Sequence, residues 1–260
     1  MSARWLVTGA AGMLGQDLVA ALAHEDVTAV AADRTALDIA DPGRVRDMFA
    51  THRPAVVVNC AAWTAVDDAE QQEDAALRIN GTGPAVLAAA CREHGAVLET
   101  LPDTGYVVRT AWLYGAGGAN FVRTMIRLEG IKDTLDVVDD QRGQPTWTVD
   151  LAARLVRLGR AALEGTAPAG VYHGTSSGET TWCGFAREIF RLLGADPARV
   201  RPTTSDAYPR PAPRPAYSVL AHHRFAAAGI EPVRDWRAAL DEAFSALLAA
   251  ERPLISGRPG

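Results

Sequence analysis

Apolar positions in the first half of the chain switch regularly between two periods. Short continuous runs, "RWLVT" at 4–8, "VTAVAA" at 27–32 and "AVVVNCAA" at 55–62, alternate with longer stretches of helical spacing. In "MLGQDLVAALAHE", 13–25, Leu14, Leu18, Val19 and Leu22 fall on one helix face. "DPGRVRDMFATH", 41–52, predicts a helix with Asp41 as N-cap and Pro42 at its first position. "NGTGPAVLAAACREHG", 80–95, predicts a helix ended by Gly95. "AVL" at 96–98 begins a fourth strand, and "YVVRTAW" at 106–112 reads as a fifth. Strands that are apolar on both faces and alternate with helices predict an α/β fold. Its sheet is doubly wound, parallel and covered on both sides.

The second half is less regular. Amphipathic helices are expected at 119–130, 149–165, 180–194 and 235–251, the third capped by Thr180 or Thr181. "YPRPAPRPAYSVL", 208–220, is too proline-rich for a helix and must be extended or irregular. No internal repeat is visible. The pattern divides the chain into a first domain, 1–112 with a return at about 147–165, and a smaller C-terminal α/β domain, 113–146 and 166–250.

Composition narrows the function. With 48% apolar and 22% charged residues, 260 residues can bury a substantial core. A net charge of −5 argues against a general nucleic-acid or membrane-surface binder. No apolar run approaches the length of a bilayer span, and the Gly-rich turn straight after the first strand does not read as a signal peptide. Cys60, Cys91 and Cys183 form no metal or disulfide pattern, which fits a reducing, cytoplasmic setting. Of the 26 basic residues, Lys132 is the one lysine.

"VTGAAGMLG" places Gly9, Gly12 and Gly15 between a strand and a helix. Glycines there permit a tight turn and let backbone N–H groups approach a pyrophosphate, which the helix N-terminus then faces. Met13 and Leu14 open that helix. Asp33 follows at the end of the second strand, as a Rossmann-type dinucleotide site requires. Asp33 suits the ribose 2′-OH of NADH and its neighbour Arg34 the 2′-phosphate of NADPH, so the choice between them stays open. Asp38 and Ile39 are placed to flank the adenine, although Asp38 reads equally well as a loop acid or helix cap. His222 and His223 have no visible partner in the sequence and read as surface residues.

Several strings in order resemble one family. They are "VTGAAGMLG", "LDIADP", "RPAVVVNCAAWTAVDDAE", "RTAWLYG", "VVDDQRGQPTWTVDLA", "VYHGTSSGETTWCGFAREIF" and "RPAPRPAYSVL". Together they resemble the dTDP-4-dehydrorhamnose reductases, extended short-chain dehydrogenase/reductases of nucleotide-sugar biosynthesis, with a further similarity to those of streptomycin-type antibiotic pathways. The resemblance implies reduction of the C4 ketone of a dTDP-linked 4-keto-6-deoxysugar by NADPH or NADH. It implies that Cys60, Ala61, Ala62 and Thr64 line the cofactor, with Asn80 supporting them, and that Val66, Asp67, Trp112, Asn120 and Gln144 lie towards the sugar nucleotide. Arg210 and Arg214 would meet the diphosphate, or else form a solvated arm. Asp139 and Asp140 are read as turn residues, not a catalytic dyad. Some family members form a homodimer around Mg²⁺ held by glutamates, which have no clear counterpart here.

One element of the family's chemistry is missing. Ketone reduction needs a proton donor at the oxygen, and the family uses a tyrosine with a lysine four residues later. Four residues after Tyr106, Tyr114, Tyr172, Tyr208 and Tyr217 stand Thr110, Gly118, Ser176, Ala212 and Ala221. No catalytic residue can therefore be assigned. Topology points to the same defect: parallel strands at 96–98 and 106–110 need a crossover of about a dozen residues or more, and "ETLPDTG" offers seven. A segment is expected to be lost near 98–99. Either the protein carries it outside these 260 residues, or it is truly deleted, or the junction is remodelled; the first is preferred. A true deletion would favour a catalytically inactive, NADP-binding regulatory or interaction protein on the same fold, a use of this fold known in the regulatory subunit of methionine adenosyltransferase.

Overall fold

The structure, a computed structural model, describes residues 3–95, 97–98 and 105–256. The connection from 99 to 104, on which the expectation of a lost segment turns, lies outside the described residues.

Three parallel strands form the centre: β1 (Trp5–Thr8), β2 (Ala29–Ala32) and β3 (Val56–Asn59). A fourth, β4 (Val97–Leu98), extends the sheet in the order β2-β1-β3-β4. Trp5, Leu6, Val7, Val56, Val57 and Val58 are all buried, because helices cover both faces. Helix α1 (Met13–His24) packs Leu18 and Leu22 on the face bearing Trp5, Val7, Val56 and Val58. Helices α2 (Pro42–His52) and, beyond two short helices α3 (Val66–Ala69) and α4 (Glu73–Leu77), α5 (Gly83–His94) cover Leu6 and Val57 on the other face. Local signals set the ends. Asp41 accepts from the N–H groups of Gly43 and Arg44 to cap α2, and Gly95 closes α5 with a φ of 66°. The third apolar run stops at Asn59 as a strand, since Asn59 Oδ1 turns the chain by accepting from Thr8 Oγ1 and the Ala61 N–H.

β5 (Tyr106–Arg109) pairs in parallel with β10 (Gly170–His173), although 166–250 was divided off above as a second domain. Between them in sequence come β6 (Leu113–Tyr114), α6 (Phe121–Glu129), β7 (Leu135–Val138), β8 (Arg142–Gly143), β9 (Thr146–Trp147) and α7 (Thr148–Leu163). α7 lies along α1 and contributes to two cores: Leu155 packs near Val56 and Val58, and Leu158 near Tyr106 and Tyr172. The last third adds β11 (Ser176–Ser177), β12 (Thr180–Thr181), α8 (Trp182–Leu192), β13 (Val200–Thr203), α9 (His223–Ala227), β14 (Val233–Asp235) and α10 (Trp236–Ser256). Thr181 is the residue that caps α8, accepting from Gly184 N. α6, α8 and α10 enclose a second core around Phe185, Phe190, Ile189 and Trp236, over the parallel pair β7 and β13. Residues 208–220 run without helix, as their prolines demand.

Candidate functional site

The sharp turn after β1 creates the first half of the site. Gly9 has a φ of 64°, and a Cβ there would stand 2.6 Å from the Ala61 nitrogen. Only glycine lets this turn approach the end of β3 so closely. Gly12 is the N-cap of α1 and supplies no side-chain hydrogen bond, so the unpaired N–H groups and positive end of α1 open toward the turn. Beside them lies a cavity of about 890 Å³, lined among others by Gly9, Gly12, Asp33, Arg34, Asp38, Ile39, Cys60, Ala61 and Ala62. A bare backbone cradle below a helix N-terminus, with an acid at the far rim, fits a dinucleotide's pyrophosphate and ribose.

Asp33 keeps that rim in shape. Its Oδ1 accepts from Thr35 N at 2.8 Å, Thr35 Oγ1 at 2.6 Å and Ala36 N at 3.0 Å. These bonds, the Thr35 hydroxyl first, hold its carboxyl below the usual aspartate range, so it stays ionised at neutral pH. Asp38 is similarly lowered, first by its hydrogen bond with Arg78. Arg78, Trp63 and Thr35 line the cavity without having been singled out in the sequence. Trp63 adjoins "CAA" in the chain and Arg78 precedes Asn80 by two, so adjacency was the one signal for them. Asn80 grips Trp63 from both sides, accepting from its N–H and donating to its carbonyl. Met13, Leu14, Thr64 and Asn80 are not in the cavity lining: Leu14 packs from α1 against the core under it, and Met13 Sδ lies 3.7 Å from Asn120 Nδ2.

A second cavity of about 430 Å³ opens beyond α3, lined by Asp67, Phe121, Trp182, Gln141, Tyr208, Arg210 and Arg214, with β7 behind. Asp67 holds the arm over this cavity. Its Oδ1 lies 3.0 Å from Arg214 Nη2 and accepts from the Ala212 N–H, and its Oδ2 is 3.9 Å from Arg210 Nη1. The proline-rich segment is therefore an arm that carries two guanidinium groups over an aromatic floor. Trp112, in the left-handed region at φ 51°, stacks on Trp182 with ring centroids 3.6 Å apart and 12° between planes. It supports that floor from beneath. Val66 is half exposed on α3, next to Asp67.

Two of the residues expected near the sugar are otherwise engaged. Asn120 caps α6 through Oδ1 and donates from Nδ2 to the carbonyls of Gly115 and Gly118. Gln144 is 3% exposed; it accepts from Thr175 Oγ1 and Leu220 N and donates to the Leu220 carbonyl. Asn120 shapes the loop over α1, and Gln144 ties β10's end to the arm. His222 is not the solitary surface residue expected: it is half-buried, with Nε2 2.9 Å from Thr175 Oγ1, and burial first, then His173, depresses its pKa. Asp140 serves a turn, accepting from the Ser205 N–H and hydroxyl.

No tyrosine reaches the first cavity's lining. Tyr106 donates to the Ala167 carbonyl, Tyr172 to Pro168 and Tyr217 to Glu179, while Tyr114 is fully buried with its ionisation pushed up by desolvation. Among the described residues, no group of three His, Cys, Asp or Glu side chains comes together to hold a metal ion. No described helix is long and apolar enough to cross a membrane.

Comparison with known proteins agrees with this arrangement. The family model described as RmlD substrate binding domain matches residues 3–102 and 95–249, two stretches that meet at the same junction. A dTDP-4-dehydrorhamnose reductase of Streptomyces griseus is 56% identical over 297 aligned residues, covering 98% of each chain. A dTDP-4-keto-6-deoxy-D-glucose reductase of Streptomyces niveus is 47% identical, covering 96% of this chain and 100% of its own. Among solved structures, the dTDP-4-dehydrorhamnose reductase of Bacillus anthracis in complex with NADP is 30% identical, with a TM-score of 0.85 over 94% of this chain and 99% of that one. The chain belongs to the dTDP-4-dehydrorhamnose reductase family, extended short-chain dehydrogenase/reductases built on a Rossmann-type sheet.

Proposed function

We propose that this protein is an NAD(P)H-dependent reductase of the C4 ketone of a dTDP-linked 4-keto-6-deoxysugar, either dTDP-4-dehydro-L-rhamnose or the precursor of dihydrostreptose. The observation that carries this reading is the presence of two distinct cavities in one chain. The first is a glycine-turn cavity suited to a dinucleotide, the second an aromatic pocket, lined by Asp67, Arg210 and Arg214, suited to a nucleoside diphosphate. Its relatives' names supply the sugar and the ketone.

The protein's own groups divide the work of binding. Gly9 and Gly12 let the backbone meet the pyrophosphate, and Asp33 offers a carboxylate to an adenosine ribose hydroxyl. Arg34 stands ready for a 2′-phosphate, so both cofactors have a partner and NADPH binding depends on Arg34. Arg210 and Arg214 neutralise the sugar nucleotide's diphosphate, which competes with Asp67 for them, and the Trp182 ring takes an apolar face of base or sugar. The nicotinamide supplies hydride when bound. Cys60, Ala61 and Ala62 keep its end of the cavity small and largely apolar. The proton donor is assigned to the crossover segment expected near 98–99.

The test is NAD(P)H oxidation by the gene's full product with dTDP-4-keto-L-rhamnose. Ketone-dependent oxidation is expected. Intact cofactor binding without turnover would support the second reading, an inactive NADP-binding interaction protein, which the missing tyrosine–lysine pair favours. Arg34→Ala is expected to weaken NADPH about tenfold while sparing NADH, since one charged hydrogen-bond partner is worth roughly 1.5 kcal/mol or more. Fluorescence titration of both cofactors checks it.

A further inference from the structure

The loop from Gly115 to Gly118 lies against the first turns of α1. A Cβ at Gly115 would stand 3.2 Å from Met13 Cγ and 3.3 Å from Asp17 Oδ2, and one at Gly117 would stand 3.0 Å from Gln16 Oε1. Gln16 links this loop to the dinucleotide cavity. Its Nε2 donates to the Ala11 carbonyl at 2.7 Å and to the Gly117 carbonyl at 3.2 Å. Ala11 and Gly12 both line the cavity. The peptide between them is held at both ends, its carbonyl by Gln16 and its N–H by the Gly9 carbonyl, 2.9 Å away. A peptide unit is planar, so fixing both groups fixes which way the turn faces.

A buried ion pair holds the loop in turn. Arg123 of α6 engages all three of its guanidinium nitrogens. Nη1 donates to the carbonyls of Ala116 at 3.3 Å and Gly118 at 3.1 Å. Nε donates to Glu251 Oε2 at 2.9 Å, and Nη2 to the Ala250 carbonyl at 3.1 Å. Glu251, on α10, is 1% exposed, and its Oε1 lies 3.5 Å from Arg127 Nη1. Apolar side chains would join α6 to α10 at least as firmly, because desolvation offsets much of a buried pair's attraction. A guanidinium adds direction. Its donors lie in one rigid plane, so two nitrogens held by α10 dictate where the third points. The third points at the loop.

We infer that Arg123 and Glu251 are positioning residues for cofactor binding. α10 orients Arg123, Arg123 sets the loop at 115–118, and the loop sets Gln16 against the Ala11–Gly12 peptide of the glycine turn. Neither Arg123 nor Glu251 lines the cavity, so both act through Gln16. The inference rests on the dinucleotide reading of that cavity.

Fluorescence titration of NADPH, with Tm measured on each variant, tests it. Arg123→Met keeps the aliphatic stem and loses the fork, and it should weaken NADPH about tenfold. Glu251→Gln should weaken NADPH in the same direction, by about threefold. Leu247→Ala truncates the same helix in its core and serves as the structural control. It should lower Tm and leave NADPH affinity unchanged. NADPH affinity that simply follows Tm across the three variants makes the pair structural only and overturns the inference. In a Gln16→Leu chain, Arg123→Met should add less than about twofold, because links of one chain of contacts are not additive. Effects that multiply in full overturn it as well. If Arg123→Met does not fold, Arg123→Lys replaces it, keeping a cation for Glu251 without the planar fork; NADPH affinity equal to the parent's then overturns the inference. A parent chain that binds no NADPH removes the dinucleotide reading and the inference together. Equal NADPH binding by parent and variants removes the inference alone.

Discussion

The strands β1 and β3 and the strands β5 and β10 are built from the same kind of apolar string, yet they end in different environments. Every residue of "WLVT" and the valines of "VVVN" are buried between α1 and α7 on one face and α2 and α5 on the other. "YVVR" alternates buried and open, and Val171 of its partner is open too. The strands do not differ in hydrophobicity but in whether the chain supplies helices for both faces. The dinucleotide side is finished by α1, α2 and α5, close in sequence, and by α7 from the second half. The far side pairs β5 with β10, strands distant in the chain.

The largest expected effect lies where the finished side is tightest. Gly9→Val puts a branched side chain at positive φ, 2.6 Å from backbone that cannot give way. It should abolish measurable NADPH binding and lower stability by roughly 3 kcal/mol or more, read by denaturant unfolding. Retained tight binding would mean that the turn does not cradle the cofactor.

Core truncation compares the two regions directly. Phe49→Ala, at a residue with no exposure, should cost about 3–5 kcal/mol, whereas Val171→Ala should stay within ~0.5 kcal/mol. Similar costs at the two sites would show that the β10 face is covered after all.

A smaller effect tests the helix that spans both regions. Gly159 lies in the middle of α7, where alanine would ordinarily stabilise by up to ~1 kcal/mol. A Cβ there would stand 2.1 Å from Trp5 Cη2, in an indole that is 1% exposed. Gly159→Ala should therefore lose about 1–3 kcal/mol through overpacking.

The smallest effect is electrostatic. Asp17 on α1 is half-buried against Thr148 of α7, and burial raises its pKa above 3.8, opposed by the Thr148 hydrogen bond. The folded state then holds a proton that the unfolded state has released. Asp17's contribution is thus fully present below pH 3.8 and lost as pH rises through the folded pKa. Asp17→Asn should flatten stability in that window, read as Tm against pH. An unchanged slope would contradict the burial effect.

Local chemistry explains why so much was legible. Asp41 and Gly95 announce the ends of α2 and α5, the glycine triplet announces the turn, and Asp33 the rim of the cavity, because each acts within a few residues of itself. Trp63 and Arg78 escaped notice because they flank α3 and α4, short helices with no sequence periodicity of their own. Asn120 sits directly before a helical stretch, and that position signals a cap as strongly as a ligand contact. Gln144 and His222 owe their burial to the returning arm and to Thr175, partners 76 and 47 residues distant. The pairing of β5 with β10 was not legible for the same reason: the two strands are far apart in the chain.

Isotope transfer tests the central claim most directly. The gene's full product is given NADPH deuterated at C4 of the nicotinamide together with a dTDP-4-keto-6-deoxysugar, and the sugar is examined by NMR. Deuterium at sugar C4 is the expected result. Tight binding of both molecules with no deuterium at C4 would contradict the reductase reading and leave a non-catalytic binding protein on this fold.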